Sequence, residues 1–175
     1  LDDLTLYSKR LVEWFSKYPQ LTLEFKTKST NVKNFIDIKH AGNVVVSFSI
    51  NPQIIVSREE HRTASLQERL ETARLCADRG FPVAFHIDPM MAIDDWQKHY
   101  TDLVEQVTSV FKPHEVRWIS IGALRYLPEM KQILRERFGA NTETLRAELF
   151  MSAEGKLRYD GGLRNRMFTH VLNEF

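Results

Sequence analysis

Two Arg–Tyr pairs, Arg125–Tyr126 and Arg158–Tyr159, set a cation beside a stacking ring, the combination that grips phosphates and unstacked bases. Each closes a Leu-Arg-Tyr triplet, and the second follows Gly155 in a segment that reads as a hairpin over residues 148–160. An aromatic at such a loop tip spends apolar surface on water unless a partner covers it. Nine lysines and arginines fall between Arg125 and Arg166, although Arg135 and Arg137 read as a solvated helix face.

A second group of polar residues interrupts apolar strand patterns. The stretch 44–50 alternates Val44, Val46, Phe48 and Ile50 against Val45, Ser47 and Ser49, with Asn51 next, so its polar set crowds toward the carboxyl end. Residues 82–88 repeat the arrangement with His86 and Asp88, and residues 21–28 contribute Glu24, Lys26 and Lys28. If these strands are neighbours, Lys28, Ser49, Asn51, His86 and Asp88 converge on the rim where α/β active sites lie. A structural reading stays open beside the functional one. Lys28 can reach out to solvent, Ser49 can be a small satisfied core residue, His86 can be a hydrogen-bonded core histidine, and Asp88 can start a turn before Pro89.

Composition narrows the chemistry. The 175 residues carry 24 Lys+Arg against 23 Asp+Glu, so any nucleic-acid surface must be a local patch. The single cysteine, Cys76, excludes an internal disulfide and points to a reducing compartment, the cytoplasm. It also excludes a zinc finger, a CxxC redox pair and an iron–sulfur cluster held by this chain alone. Cys76 falls on the apolar side of a helix and reads as an inert buried thiol. The six histidines lack HxH or HxxxH spacing, no GxSxG elbow occurs, and no GxGxxG or P-loop turn follows a strand. No apolar run reaches the length of a membrane span. The first residue is Leu1 rather than Met, which reads as a processed, tagged or excised chain.

The elements that must position these residues alternate from end to end. Periodicity predicts a first helix ending near Tyr18, strands over 21–28, 44–50, 82–88 and 116–121, and helices over 65–79, 93–111, 128–138 and 163–175. A short helix is expected over 32–39, a polar loop after Pro52 and a strand over 146–150. Strands separated by single helices imply βαβ units and a parallel sheet, so the class is α/β in one domain over 1–175.

Several segments together resemble one family. Leu23-Glu24-Phe25-Lys26-Thr27-Lys28-Ser29, Lys39-His40-Ala41-Gly42, Phe48-Ser49-Ile50-Asn51-Pro52, Thr63 to Leu70, Gly80-Phe81-Pro82-Val83, His86-Ile87-Asp88-Pro89, Trp118 to Gly122, Leu124-Arg125-Tyr126 and Gly155-Lys156-Leu157-Arg158-Tyr159 look like spore photoproduct lyases of the radical S-adenosylmethionine (AdoMet) superfamily. The resemblance implies the later strands of a partial (β/α)6 TIM-like barrel, with a hairpin inserted near the carboxyl end. It implies an enzyme in which a [4Fe–4S] cluster cleaves AdoMet reductively to a 5′-deoxyadenosyl radical. The radical takes a hydrogen atom from the thymine dimer of ultraviolet-damaged DNA, the methylene bridge breaks, and two thymines are restored.

By position, the resemblance implies that Lys28 holds the methionyl carboxylate, Ser49 hydrogen-bonds the methionyl or ribose part, and the backbone at Asp88 flanks the adenine. Arg158 and Tyr159 match the hairpin residues that enter the DNA beside the flipped lesion, and Arg125 and Tyr126, the other cation–ring pair, are further DNA-binding candidates. The family's CxxxCxxC loop and its hydrogen-returning cysteine do not occur in these residues. The expectation is therefore a fragment of a longer enzyme, inactive alone, with cluster ligands and electron donor outside it. Two alternatives are a non-catalytic DNA-binding or lesion-sensing module, and a radical AdoMet enzyme on the same scaffold acting on another substrate.

Overall fold

A computed structural model describes residues 2–175. In chain order the elements are α1 (Asp2–Thr5), α2 (Tyr7–Phe15), β1 (Leu23–Thr27), β2 (Val44–Ser49), α3 (Gln53–Glu59), α4 (Leu66–Asp78), β3 (Val83–Met90) and α5 (Trp96–Val110). There follow β4 (Val116–Ala123), β5 (Arg125–Tyr126), α6 (Met130–Phe138), α7 (Glu143–Arg146), β6 (Phe150–Met151), β7 (Leu157–Arg158) and α8 (Gly161–Glu174). The four long strands form a sheet in the order β1-β2-β3-β4, in which β2 pairs parallel with both β1 and β3. The fold is α/β, as the alternation of strands and helices requires. The chain divides into two compact units, with β3 and β4 running from the first into the second.

The first unit holds the chain up to Ile50, Thr63–His86 and Ser109–Ile119. Its central strand, β2, is buried on both faces, which explains its Val44-Val45-Val46 run and Phe48, with Ser47 and Ser49 as its buried polar residues. Ser65 caps α4 in a capping box with Glu68, and the helix buries Leu66, Leu70, Ala73 and Cys76 at helical spacing. Phe25, Phe35 and Phe81 pack in series, the first pair tilted and the second edge-to-face, with ring centroids 5.4 and 5.5 Å apart. The turn after α2 is tied down by buried Asn43, whose Nδ2 lies within hydrogen-bond reach of the carbonyls of Phe15, Tyr18 and Leu21.

The second unit comprises Asn51–Arg62, Ile87–Thr108 and Ser120–Phe175. Its buried core includes Ile55, Met90, Tyr100, Leu103, Val107, Met167 and Val171. The Tyr100 hydroxyl accepts from the Met91 amide at 2.7 Å and donates to Asn51 Oδ1 at 3.2 Å, so a buried phenol is fully satisfied. A second, three-stranded sheet in the order β5-β7-β6 is antiparallel.

Three sequence expectations are corrected. The polar loop after Pro52 is α3, because Pro52 is set for a helix start and Ile55 and Val56 gain burial that outweighs their modest helix propensity. Residues 32–39 form turns rather than a helix. The Val32 carbonyl accepts from both Phe35 and Ile36, and only Val32 and Phe35 are buried, too little to extend a ladder. The strand expected over 146–150 is not formed: Arg146 ends the helical turn α7, residues 147–149 are irregular, and only Phe150 enters β6. Thr142 caps that turn, and the Glu59 carboxylate accepts from the Glu143 amide at 2.7 Å and the Thr144 hydroxyl at 2.7 Å, from 84 and 85 residues away in sequence.

Candidate functional site

In the first unit the polar face is assembled by register. Lys26 pairs with Ser47 and Ser49 with His86, which sets Glu24, Ser47 and His86 on three adjacent strands. Ser47 Oγ donates to Glu24 Oε1 at 2.5 Å, and His86 Nε2 lies 2.7 Å from the same oxygen. Burial works to raise the Glu24 pKa, and the hydrogen bonds from Ser47 and His86 together outweigh it, leaving the carboxyl below its ordinary value. The group is a carboxylate that fixes an imidazole and a buried hydroxyl. The polarity of Glu24, Ser47 and His86 is visible in the sequence, but their meeting at one carboxylate depends on strand register.

Ser49 and Lys28 occupy the carboxyl ends of neighbouring parallel strands, as expected. Ser49 is the last residue of β2 and is buried, and Lys28 follows β1 directly, its carbonyl accepting from the Ala64 amide at 3.1 Å. Ser49 is held by Arg69, which is not among the residues expected at the site. Arg69 of α4 is completely buried and donates from Nη1 to the Ser49 carbonyl at 2.8 Å, from Nε to the Ala64 carbonyl at 2.9 Å and from Nη2 to Thr63 Oγ1 at 2.8 Å. The signal was present: Arg69 sits inside the apolar stripe Leu66, Leu70 and Ala73, where a cation must find buried acceptors.

Asp88 lies in the second unit, half-buried in β3. Its carboxylate rests on Gly122, where a Cβ would stand 2.7 Å from Asp88 Oδ1 and 2.9 Å from Cγ. A side chain at Gly122 would therefore force the Asp88 carboxylate to shift. Asn51, also in this unit, donates from Nδ2 to the Pro89 carbonyl at 3.2 Å and accepts from Tyr100, so it serves the core.

The hairpin over 148–160 is present, with β6 and β7 joined by a turn in which Gly155 has φ 75°. The two Leu-Arg-Tyr triplets lie side by side: Arg125 pairs with Arg158 and Tyr126 with Leu157. One expectation is corrected here. Tyr159 is not an exposed tip but 4% exposed, its hydroxyl accepting from the Ala92 amide at 3.0 Å. Burial raises the phenol pKa. The ring follows β7 into the core because both its apolar face and its hydroxyl find partners there. The exposed apolar residues of the hairpin are Phe150 and Met151. Arg125 is exposed, whereas the Arg158 side chain is 18% exposed and pairs with Glu154 at 2.6 Å. Tyr126 is half-buried, its hydroxyl 3.4 Å from the Thr144 carbonyl. Beside Tyr159 a cavity of about 820 Å³ is bounded by Met91, Ala92, Arg58, Arg146 and Phe150.

The family model for spore photoproduct lyase matches residues 1–157. The chain belongs to the spore photoproduct lyase family. Among curated members it is 32% identical over 117 residues to the spore photoproduct lyase of Bacillus subtilis, covering 67% of this chain and 34% of that protein. It is 26% identical over 110 residues to the Clostridium acetobutylicum enzyme, covering 63% of this chain and 33% of that protein. A solved spore photoproduct lyase double mutant with bound AdoMet and dinucleoside spore photoproduct matches 99% of this chain and 53% of its own, at 21% identity and a TM-score of 0.86. Another, complexed with dinucleoside spore photoproduct, gives a TM-score of 0.85 at the same identity and coverage. This chain thus has the spore photoproduct lyase fold and spans a third to a half of the length of these relatives.

The iron–sulfur cluster that the resemblance implies does not fit the donors among the described residues. The one thiol, Cys76, is buried, and burial pushes its pKa up to about 12. Among the described residues no group of three His, Cys, Asp or Glu could hold a metal ion. Nor is any helix among them long and apolar enough to cross a membrane.

Proposed function

We propose that the protein containing this chain is a lyase that reverses the spore photoproduct in ultraviolet-damaged DNA, using AdoMet and a [4Fe–4S] cluster whose ligands lie outside these residues, with electrons from a separate donor. The observation that carries this reading is the family match over residues 1–157. The four-stranded sheet is then the later part of a partial (β/α)6 barrel. Bound AdoMet supplies the one-electron chemistry that opens the lesion.

This chain's own residues bind and orient. The Lys28 ammonium holds the methionyl carboxylate, Ser49 offers a hydroxyl to the methionyl or ribose part, and the backbone at Asp88 flanks the adenine. Arg69 acts through Ser49 as a positioning residue, since it fixes the backbone from which that hydroxyl projects. Arg125 and Arg158 carry the cationic contacts to DNA, with Tyr126 beside them. Tyr159 holds the strand from beneath. The dinucleoside photoproduct bound by the solved neighbours supports the substrate class.

The test takes the product of the complete open reading frame, reconstituted with iron and sulfide and supplied with a reductant. Thymine should reappear in spore-photoproduct DNA. Lys28→Ala should weaken AdoMet binding roughly tenfold to a hundredfold, the worth of one charge-assisted contact. AdoMet cleavage without thymine recovery overturns the substrate. Unchanged AdoMet affinity in Lys28→Ala overturns the role of the lysine.

A further inference from the structure

The pairing of β5 with β7 sets Arg125 directly opposite Arg158, and like charges across a sheet cost stability rather than add to it. Beside that pair lies a cavity of about 310 Å³, with Lys156 and Arg164 on its walls and Ala123 and Phe168 as its apolar part. Four cations face one carboxylate, Glu154, which is occupied by Arg158. Lys156 and Arg125 make no side-chain hydrogen bond or ion pair with any described residue. Most telling, Arg158 Nε and Arg164 Nε are both buried without a hydrogen-bond partner. A buried donor left unpaired costs about 1–3 kcal/mol, and more when it is charged, so two around one cavity call for an acceptor.

The missing acceptor must be an anion, because four cations converge. It must also offer several oxygens in different directions, because the donors come from two strands and a helix. A phosphate group meets both requirements, and guanidinium forks match it well. We propose that Arg125, Lys156, Arg158 and Arg164 form a seat for one backbone phosphodiester of a DNA strand. This rests on the reading of the hairpin as the DNA-facing element and adds Arg164 and Lys156 to it. The seat grips the strand without reading its bases, so it treats damaged and undamaged DNA alike.

The experiment measures binding of the product of the complete open reading frame to a labelled thymine-rich oligonucleotide, irradiated and not, over a series of salt concentrations. Arg164→Gln and Lys156→Gln are compared with wild type, with folding checked by circular dichroism. Each variant should bind about tenfold more weakly at low salt, equally for both oligonucleotides, with the slope of log affinity against log salt reduced by about one. Folded variants with wild-type affinity and slope overturn the seat while leaving the DNA reading intact. The second arm measures thermal stabilisation by inorganic phosphate. If wild type binds no DNA, yet phosphate stabilises it and not Arg164→Gln, the hairpin–DNA reading fails and the anion seat stands for a smaller phosphate. If neither DNA nor phosphate binds, the seat is overturned.

Discussion

Replacing Arg69 with methionine tests how the carboxyl end of β2 is held. The side chain keeps its apolar stem, so packing in the α4 stripe changes little, but the three hydrogen bonds to Ser49, Ala64 and Thr63 disappear. Each charge-assisted bond is worth about 1.5–3 kcal/mol, and they do not add. Ala64 and Thr63 are half-buried and regain water. The Ser49 residue is 5% exposed, and its carbonyl does not. Losing the cation also removes its own desolvation cost. The net loss should be about 3 kcal/mol, a large share of the roughly 5–15 kcal/mol that a domain has, and a fall in melting temperature on the order of 10 °C. Urea unfolding followed by circular dichroism gives the figure. Arg69→Lys should be at least as damaging, since an ammonium keeps the buried charge without the fork that reaches three acceptors. An Arg69→Met chain within about 0.5 kcal/mol of wild type would refute the reasoning, because that is the range of an ordinary surface change.

Gly122→Ala should cost about 1–3 kcal/mol through the clash with the Asp88 carboxylate, and Asp88→Gly in the same chain should recover most of it. A double-mutant cycle with no coupling would show that Asp88 swings away freely. Tyr159→Phe should lose about 1 kcal/mol with the Ala92 bond, and Tyr159→Ala about 3–5 kcal/mol with the buried ring. Equal stabilities by thermal melting would contradict the burial. Glu24 has its pKa lowered on folding, so it contributes stability above the ordinary glutamate value of about 4.3 and loses it as pH falls through the folded value. Glu24→Gln should therefore have a shallower acid limb than wild type, and superimposable stability–pH curves would count against the Ser47–Glu24–His86 network.

Much of the architecture is legible because strand and helix periods are local. β2 is written as a run of Val and Phe, and α4 carries its cap and capping box in the four residues from Ser65 to Glu68. The positions of Lys28 and Ser49 at adjacent strand ends follow from the same alternation plus the parallel order. What stayed hidden was set by distant partners. Residues 143–146 carry their own cap at Thr142, but the carboxylate that meets their amides is Glu59. Pro52 to Glu59 looks like a loop until Ile55 and Val56 find a core.

The sequence by itself determined the α/β class, the family, the strand ends that carry polar residues and the hairpin with its Arg–Tyr pair. Only the tertiary structure decided which of those residues stay exposed and which serve the core. It turned Tyr159 inward onto the Ala92 amide, set Arg125 against Arg158, and left two guanidinium nitrogens buried beside a cavity. The reason is that residue type and spacing record what a side chain can do. Whether it meets water, a backbone amide or an unfilled space depends on segments far away in the chain, which no local pattern encodes.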